Sequence, residues 1–174
     1  MNIEIFGEAA RKDGWDFDWQ KSEKKGAMWA RIGCAMIMSF VLLELMIVDT
    51  GFTWTGKSSL FWFMTEWSLW TTAFTYFFGL AMYLKPFAKS ARVKKAYVIL
   101  FEVAISYEIM VTLLFWVFLG HHKSFDLAPT GRGKLSMALN HGMPLACLIV
   151  DYYFNRVPIY FGHWKIIAAI GAAY

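Results

Sequence analysis

Long apolar stretches separated by short polar segments constrain this chain more than any other feature. Four of them, about 20 residues or longer, cover residues 28–48, 59–83, 97–119 and 133–153, and a shorter one covers 164–174. A helix needs about 20 residues to cross the roughly 30 Å apolar core of a bilayer, so each of the four can cross once. The fifth is only about 16 Å long as a helix and cannot cross unaided. The sequence therefore predicts an all-α protein, a polytopic transmembrane helix bundle with four full spans and a short fifth helix.

The distribution of charge supports this interpretation. Only 17% of the residues are charged and 58% are hydrophobic, whereas soluble domains usually carry about 25% charged residues. Lysine and arginine cluster between the apolar stretches, so the net charge of +4 indicates basic loops that flank a membrane. No basic face with stacking aromatics is evident, and we expect no nucleic-acid partner.

Two parts of the chain are predicted, a polar N-terminal tail over residues 1–27 and a transmembrane helical domain over 28–174. The tail is too acidic for a typical mitochondrial transit peptide and lacks the apolar core of a secretory signal. Lysine and arginine are dense in the tail and in the second loop, whose cations are Lys85, Lys89, Arg92, Lys94 and Lys95, but sparse in the first loop. This distribution predicts a cytosolic or matrix N-terminus. It leaves open an endomembrane, the plasma membrane and the mitochondrial inner membrane.

Cysteine and histidine give no indication of a metal or cofactor. Cys34 and Cys147 both fall inside apolar stretches and are expected to pack as small buried side chains. No Cys/His cluster has zinc or iron–sulfur spacing. We therefore predict no disulfide, no metal and no cofactor.

Polar residues inside the predicted spans carry the functional information, because ionisable groups at membrane depth are costly and usually face the bundle interior. On the second span, Thr65, Ser68, Thr72, Tyr76 and Gly79 recur at steps of three and four and share one helix face. Small and hydroxylated residues on one face also favour close helix packing without any catalytic role. Both interpretations stay open. Intramembrane polar support is expected from Glu66, Glu102, Glu108 and Asp151, and Arg31 is expected to extend toward the interface from the start of the first span.

On the fourth span, His141, Pro144 and Asp151 share a face. Pro144 has no N–H to donate to the carbonyl of Asn140, so a kink and a polar pocket are expected beside His141. The alternative is a histidine satisfied by one hydrogen bond to a neighbouring helix.

Depth relates the two spans to each other. With the N-terminus inside, both descend from the outer face, which places Thr65 and His141 roughly 9 and 12 Å below the outer boundary. They can meet if the two helices are neighbours. A threonine hydroxyl becomes a nucleophile when a base takes its proton, and neutral histidine, with an unperturbed pKa near 6.5, suits that role.

Two segments, FMTEWSLWTTAFTYFFG at 63–79 and LNHGMPLACLIVDYYFNRVPI at 139–159, resemble the androgen-induced membrane protein family. That family includes the androgen-dependent regulator of tissue factor pathway inhibitor. The resemblance spans most of residues 30–174, and Asn-His-Gly-Met is its most specific part. It implies a multi-pass threonine hydrolase of fatty acid esters of hydroxy fatty acids, with Thr65 as nucleophile and His141 as catalytic histidine. Candidate lining residues of the site are Ser68, Thr72, Asn140 and Pro144.

Three functions from different classes remain at this point. The first is an intramembrane lipid ester hydrolase. The second is a structural, supernumerary subunit of a larger membrane complex such as a mitochondrial respiratory assembly, with an inactive or vestigial site. The third is a transporter or proton relay through Glu102, Glu108, His141 and Asp151, for which no inverted repeat is evident. The expected partners are membrane lipid and other membrane chains, contacted through residues 1–27 and 160–174.

Overall fold

The computed structural model describes residues 25–51, 64–88, 90–119, 131–155, 157–160 and 163–173, and these residues are helical apart from short connections. The helices are α1 (Lys25–Gly51), α2 (Met64–Ala81), α3 (Lys85–Ala88), α4 (Ala91–Leu114), α5 (Gly131–Asn155) and α6 (Trp164–Ala173), and α4 continues into a π-helical turn at Phe115–Leu119. No strand occurs within these ranges. The all-α prediction is confirmed, whereas most of the predicted polar tail lies outside the described residues.

The four long helices pack as a ring. α1 packs against α2 and α5, α4 packs against α2 and α5, and α2 and α5 also contact each other across the ring. Helices that follow one another in sequence are antiparallel neighbours, and α5 closes the ring against α1. The polar residues predicted on α2, α4 and α5 therefore face a common interior.

The connection between α2 and α4 is compact. A turn follows Ala81, the single-turn helix α3 packs against α4, and Ser90 caps α4 by accepting a hydrogen bond from the Val93 N–H at 3.4 Å. Such a cap satisfies one of the N–H groups that a helix start leaves without a partner. The second loop therefore joins two helices that lie directly against each other.

The largely apolar interior also holds charged groups, and the surface exposes many large apolar side chains. Five charged side chains are buried, namely Arg31, Glu66, Glu102, Glu108 and Asp151, while large apolar side chains such as Phe40, Phe74 and Leu113 are more than half exposed. A contiguous exposed apolar surface marks a region that contacts lipid or protein. Two helices, Gly26–Met46 and Arg92–Phe118, are long and apolar enough to cross a membrane. They overlap the predicted spans 28–48 and 97–119, and four full spans stay a prediction.

Arg31 corrects one expectation. Its side chain is fully buried between the helices, with 0% exposure, and does not extend toward the interface. The reason is a carboxylate on α5, Asp151, that lies within hydrogen-bond distance of the guanidinium. Two opposite charges that satisfy each other's hydrogen bonds can be buried together, although neither can be buried alone without a large cost.

Candidate functional site

An inner cluster lies near one end of the bundle, where the start of α1 and the end of α5 meet. It consists of Arg31, Gly79, Tyr97, Asp151 and Asn155. The Arg31 guanidinium binds Asp151 in two places, Nε to Oδ1 at 3.1 Å and Nη2 to Oδ2 at 3.3 Å, and Nη1 donates to the Gly79 carbonyl at 3.4 Å. The Tyr97 hydroxyl donates to Asp151 Oδ2 at 3.2 Å, and the Asn155 amide donates to Oδ1. Helices α1, α4 and α5 thus meet at one carboxylate, and Arg31 links α2 to it through the Gly79 carbonyl.

Gly79 is required where it stands in the inner cluster. A Cβ at this position would lie 2.9 Å from Tyr97 Cε2 and 3.1 Å from Arg31 Cδ, closer than carbon atoms normally approach. The arginine also lies 5.0 Å from the Tyr97 ring centroid, a cation–π distance. Both carboxylate oxygens of Asp151 are bonded, and among the described residues Asn155 Oδ1 is the one buried polar side-chain atom of the inner cluster without a partner, so the inner cluster is a packed structural unit.

An outer cluster lies toward the other end of the same interior and consists of Ser68, Thr72, Glu108, Thr112 and His141. The Thr72 hydroxyl donates to Glu108 Oε1 at 3.1 Å, and the Ser68 side chain also interacts with this carboxyl group. Glu108 is fully buried, yet its Oε2 has no hydrogen-bond partner within the described part of the chain. The outer cluster thus contains a carboxyl group with spare capacity for hydrogen bonds.

His141 is held in place by stacking and through its backbone. Its ring stacks on Phe115 with centroids 3.7 Å apart and an interplanar angle of 10°, and its carbonyl accepts a hydrogen bond from the Thr112 hydroxyl at 2.9 Å. Ring atom Nδ1 is buried and, among the described residues, has no hydrogen-bond partner; the same is true of Asn140 Oδ1. The alternative expectation was a histidine satisfied by one hydrogen bond to a neighbouring helix, and Nδ1 makes no such bond to the described residues. Nδ1 can therefore accept a proton or a hydrogen bond.

Pro144 lies inside α5, which runs without interruption from Gly131 to Asn155. The sequence argument expected the Asn140 carbonyl to lack its helical hydrogen bond. The structure instead shows the next carbonyl, that of His141, accepting a hydrogen bond from the Thr112 hydroxyl of α4. A polar environment next to the proline is therefore present, and Thr112 of α4 takes part in it.

Thr65 lies in the first turn of α2 and is half-buried, and its carbonyl accepts a hydrogen bond from the Ser68 hydroxyl at 2.8 Å. No hydrogen bond joins Thr65 to His141 among the described residues. Both residues nevertheless belong to helices that pack on the same stretch of α4, where Glu108 contacts Thr72 and Thr112 contacts His141. The two candidate catalytic residues share an interior without being bonded to each other.

Glu102 belongs to neither cluster. Its two carboxylate oxygens bind the backbone N–H of Tyr160 and the Nδ1 of His163, which fixes the segment after α5 against α4. The carboxylates proposed for a proton relay are thus distributed over separate sets, Asp151 with Arg31, Glu102 with His163, and Glu108 with Thr72. In the described ranges, no three potential ligand side chains are grouped so that they can hold a metal ion.

Sequence reasoning did not predict three of these side-chain pairings, namely Arg31 with Asp151, Thr112 with His141, and Glu102 with His163. The first had a usable signal, since an arginine and an aspartate at the same end of two predicted spans favour a buried pair. Of the two segments that carry the family resemblance, residues 64–79 lie on α2 and residues 139–155 on α5. The family membership and the catalytic roles it implies for Thr65 and His141 stay predictions, because no protein-family model, curated protein or solved structure matches the chain.

Proposed function

We propose that this chain crosses a membrane four times with its N-terminus inside and hydrolyses an ester bond of a lipid bound in the outer half of the bundle. The exposed surface supports the membrane placement, because it is rich in large apolar residues while five charged side chains are buried in the interior. Large apolar side chains at a protein surface mark regions that contact lipid or another protein. The excess of lysine and arginine in the tail and the second loop supports the orientation.

The positions of the clusters agree with four alternating spans. Three residues of the inner cluster, Arg31, Tyr97 and Asp151, lie within about three residues of the predicted inner ends of the first, third and fourth spans. Gly79 lies near the predicted inner end of the second span. Thr72, Glu108 and His141 lie farther toward the outer ends. In a bundle of alternating helix direction the inner ends of all four spans lie together, because each span reverses the direction of the one before it.

One observation carries the proposed chemistry: the buried Nδ1 of His141 has no hydrogen-bond partner in the described part of the chain. A neutral imidazole with a free ring nitrogen can take the proton of the Thr65 hydroxyl as the threonine oxygen attacks an ester carbonyl carbon. The protonated histidine then gives that proton to the departing alcohol oxygen as the carbonyl–oxygen bond breaks. Water, deprotonated by the same histidine, releases the acid from the acyl-threonine.

The direct contact between α2 and α5 supports this pairing, since Thr65 and His141 lie on these two helices. Ser68 and Thr72 extend the same polar face of α2 inward, where their hydroxyls donate to the Thr65 carbonyl and to Glu108, so the interior next to Thr65 is polar. The lipid ester class itself follows from the family resemblance of the two segments.

The test is hydrolysis of a fatty acid ester of a hydroxy fatty acid by the purified full chain, with fluorophosphonate labelling in parallel. Thr65→Ala should abolish labelling and lower turnover by more than about 100-fold, and His141→Phe, which keeps an aromatic ring on Phe115, should also lower turnover by about 100-fold or more. Thr71→Ala is the matched control, because among the described residues the Thr71 hydroxyl donates to a carbonyl of its own helix, that of Trp67, at 2.7 Å. Unchanged turnover in Thr65→Ala would refute the mechanism.

A structural subunit of a larger membrane complex is the second candidate. The observation that favours it is the missing hydrogen bond between Thr65 and His141 among the described residues, which is the geometry of an inactive site. In that case the wild type shows no turnover and no labelling above the Thr65→Ala background. The protein instead purifies from its native membrane in a stoichiometric complex. Turnover by the isolated wild-type chain decides against it.

A further inference from the structure

An apolar groove of about 430 Å³ lies on the surface between α2 and α4. Its lining is Thr71, Phe74, Phe77, Phe78 and Ala81 from α2 and Leu100 from α4. The one polar side chain in this set, Thr71, donates its hydroxyl to the Trp67 carbonyl of its own helix. The groove therefore presents hydrocarbon and aromatic rings to whatever fills it, and its volume is in the range of about 300–1,000 Å³ that small-molecule sites occupy.

The length and depth of the groove match one leaflet. From Thr71 to Ala81 the helix rises about 15 Å, and half of the roughly 30 Å apolar core is also about 15 Å. Ala81 lies two residues before the inner end of the predicted span 59–83. The groove thus extends from the middle of the apolar core to its inner boundary, the path of a single acyl chain of the inner leaflet.

Positive charge lies at the inner end of the groove. The segment that joins its two walls carries Lys85, Lys89, Arg92, Lys94 and Lys95, and no aspartate or glutamate occurs between Glu66 and Glu102. Arg92 is exposed and lies eight residues before Leu100, about 12 Å nearer the inner end of α4 and about 80° around the helix from it. Clusters of lysine and arginine next to a span attract anionic lipid headgroups, at about 1 kcal/mol per cation near the surface.

We propose that this groove binds one acyl chain of an anionic phospholipid of the inner leaflet, whose phosphate is held by the exposed Arg92 of the basic segment. The site requires the membrane placement proposed above and is independent of hydrolysis at Thr65. Bulky phenylalanines line the groove, whereas surfaces that receive another transmembrane helix are usually lined by small residues. The uninterrupted positive charge selects an anionic headgroup over a zwitterionic one.

Lipid retention by the purified full chain tests the proposal. The probes are ether-linked phosphatidylglycerol and phosphatidylcholine, which carry no ester, and retention is counted by native mass spectrometry after detergent exchange. The wild type should retain one phosphatidylglycerol in preference to phosphatidylcholine. Arg92→Gln should lower that preference about 5-fold, and Ala81→Trp, which fills the groove, should lower retention of both lipids.

Two controls match these variants. Lys134→Gln removes a cation near the start of α5, which is the outer end in the proposed orientation. Ala146→Trp adds an indole at an exposed position of α5 outside the groove. Neither variant should alter lipid retention. Equal retention of the two lipids by the wild type would overturn the proposal, as would a copurified polypeptide helix that occupies the groove in place of lipid. A chain that retains phosphatidylglycerol selectively but shows no turnover would refute the hydrolase and leave the lipid site established.

Discussion

The inner and outer clusters contain similar residue types at opposite ends of one helical interior, yet they differ in how completely their hydrogen bonds are formed. Both oxygens of Asp151 are bonded, by Arg31, Tyr97 and Asn155. In the inner cluster, the amide oxygen of Asn155 is the one buried polar side-chain atom without a partner in the described ranges, whereas in the outer cluster a carboxylate oxygen, Glu108 Oε2, and an imidazole nitrogen, His141 Nδ1, have none. Buried polar atoms are nearly always satisfied, so each exception calls for a functional explanation. The difference indicates that the inner cluster holds the helices together and that the outer one is the place for chemistry.

The largest expected effect comes from breaking the inner ion pair. Asp151→Ala leaves the fully buried Arg31 without a counter-charge and should lower the free energy of unfolding by about 3–5 kcal/mol. Denaturant titration in detergent micelles, followed by circular dichroism, measures the loss. The double variant Arg31→Met/Asp151→Leu should recover most of it, because well-packed apolar residues can replace a buried pair. If Asp151→Ala unfolds like the wild type, the inner cluster is not the structural unit described above.

The second effect concerns packing in the inner cluster. Gly79→Ala places a Cβ 2.9 Å from Tyr97 Cε2 and should cost about 1–3 kcal/mol of stability through overpacking. Gly142→Ala is the matched control on α5, where the nearest atom to the added Cβ is Trp116 Nε1 at 4.0 Å. There the better helix propensity of alanine should leave stability equal or higher. Thermal unfolding of the two variants measures the contrast, and equal midpoints would show that the inner cluster can shift to admit a methyl group.

The helices were predictable because the length of an apolar stretch dictates them. The stretches at 28–48 and 133–153 became α1 (Lys25–Gly51) and α5 (Gly131–Asn155), longer by two or three residues at each end. The pairing of Arg31 with Asp151 was not predictable in the same way. It requires that α1 and α5 be neighbours and that each be rotated toward the other, and a single sequence with four similar helices does not specify either.

The candidate site was predictable in its depth but not in its bonds. Periodicity put Thr65 and Thr72 on one face of α2, and the structure turns that face toward α4, where Thr72 meets Glu108. The role of Phe115 as the stacking partner of His141 depends on the relative rotation of α4 and α5. Apolar periodicity is a weak guide to rotation when nearly every face of a helix is apolar.

The third effect tests the outer cluster. Thr72→Val removes the donor to Glu108 Oε1 and leaves a fully buried carboxyl group with fewer hydrogen bonds, which should cost about 1–2 kcal/mol. Thr71→Val, at the adjacent position, loses only a bond within its own helix and should change stability by less than about 0.5 kcal/mol. Chemical denaturation of both variants measures the difference. A loss as large as that of Asp151→Ala would mean that the outer cluster is a structural unit as well, and would remove the contrast between the two ends.

The smallest effect on stability should accompany a larger effect on chemistry, and Thr112 offers that test. Its hydroxyl donates to the backbone carbonyl of His141 at 2.9 Å, three residues before Pro144. This hydrogen bond is to the backbone of His141 and not to its imidazole ring. Hydrogen bonds between membrane helices contribute about 0.6 kcal/mol on average, so Thr112→Val should shift the unfolding free energy by about that amount. If His141 acts as the base, releasing its backbone should also misplace Nδ1 and lower turnover by about 10-fold or more, because small displacements of catalytic groups have large kinetic effects. Thr112→Ser keeps the hydroxyl and should restore turnover. Loss of stability with unchanged turnover in Thr112→Val would show that the bond holds α4 to α5 without positioning the histidine.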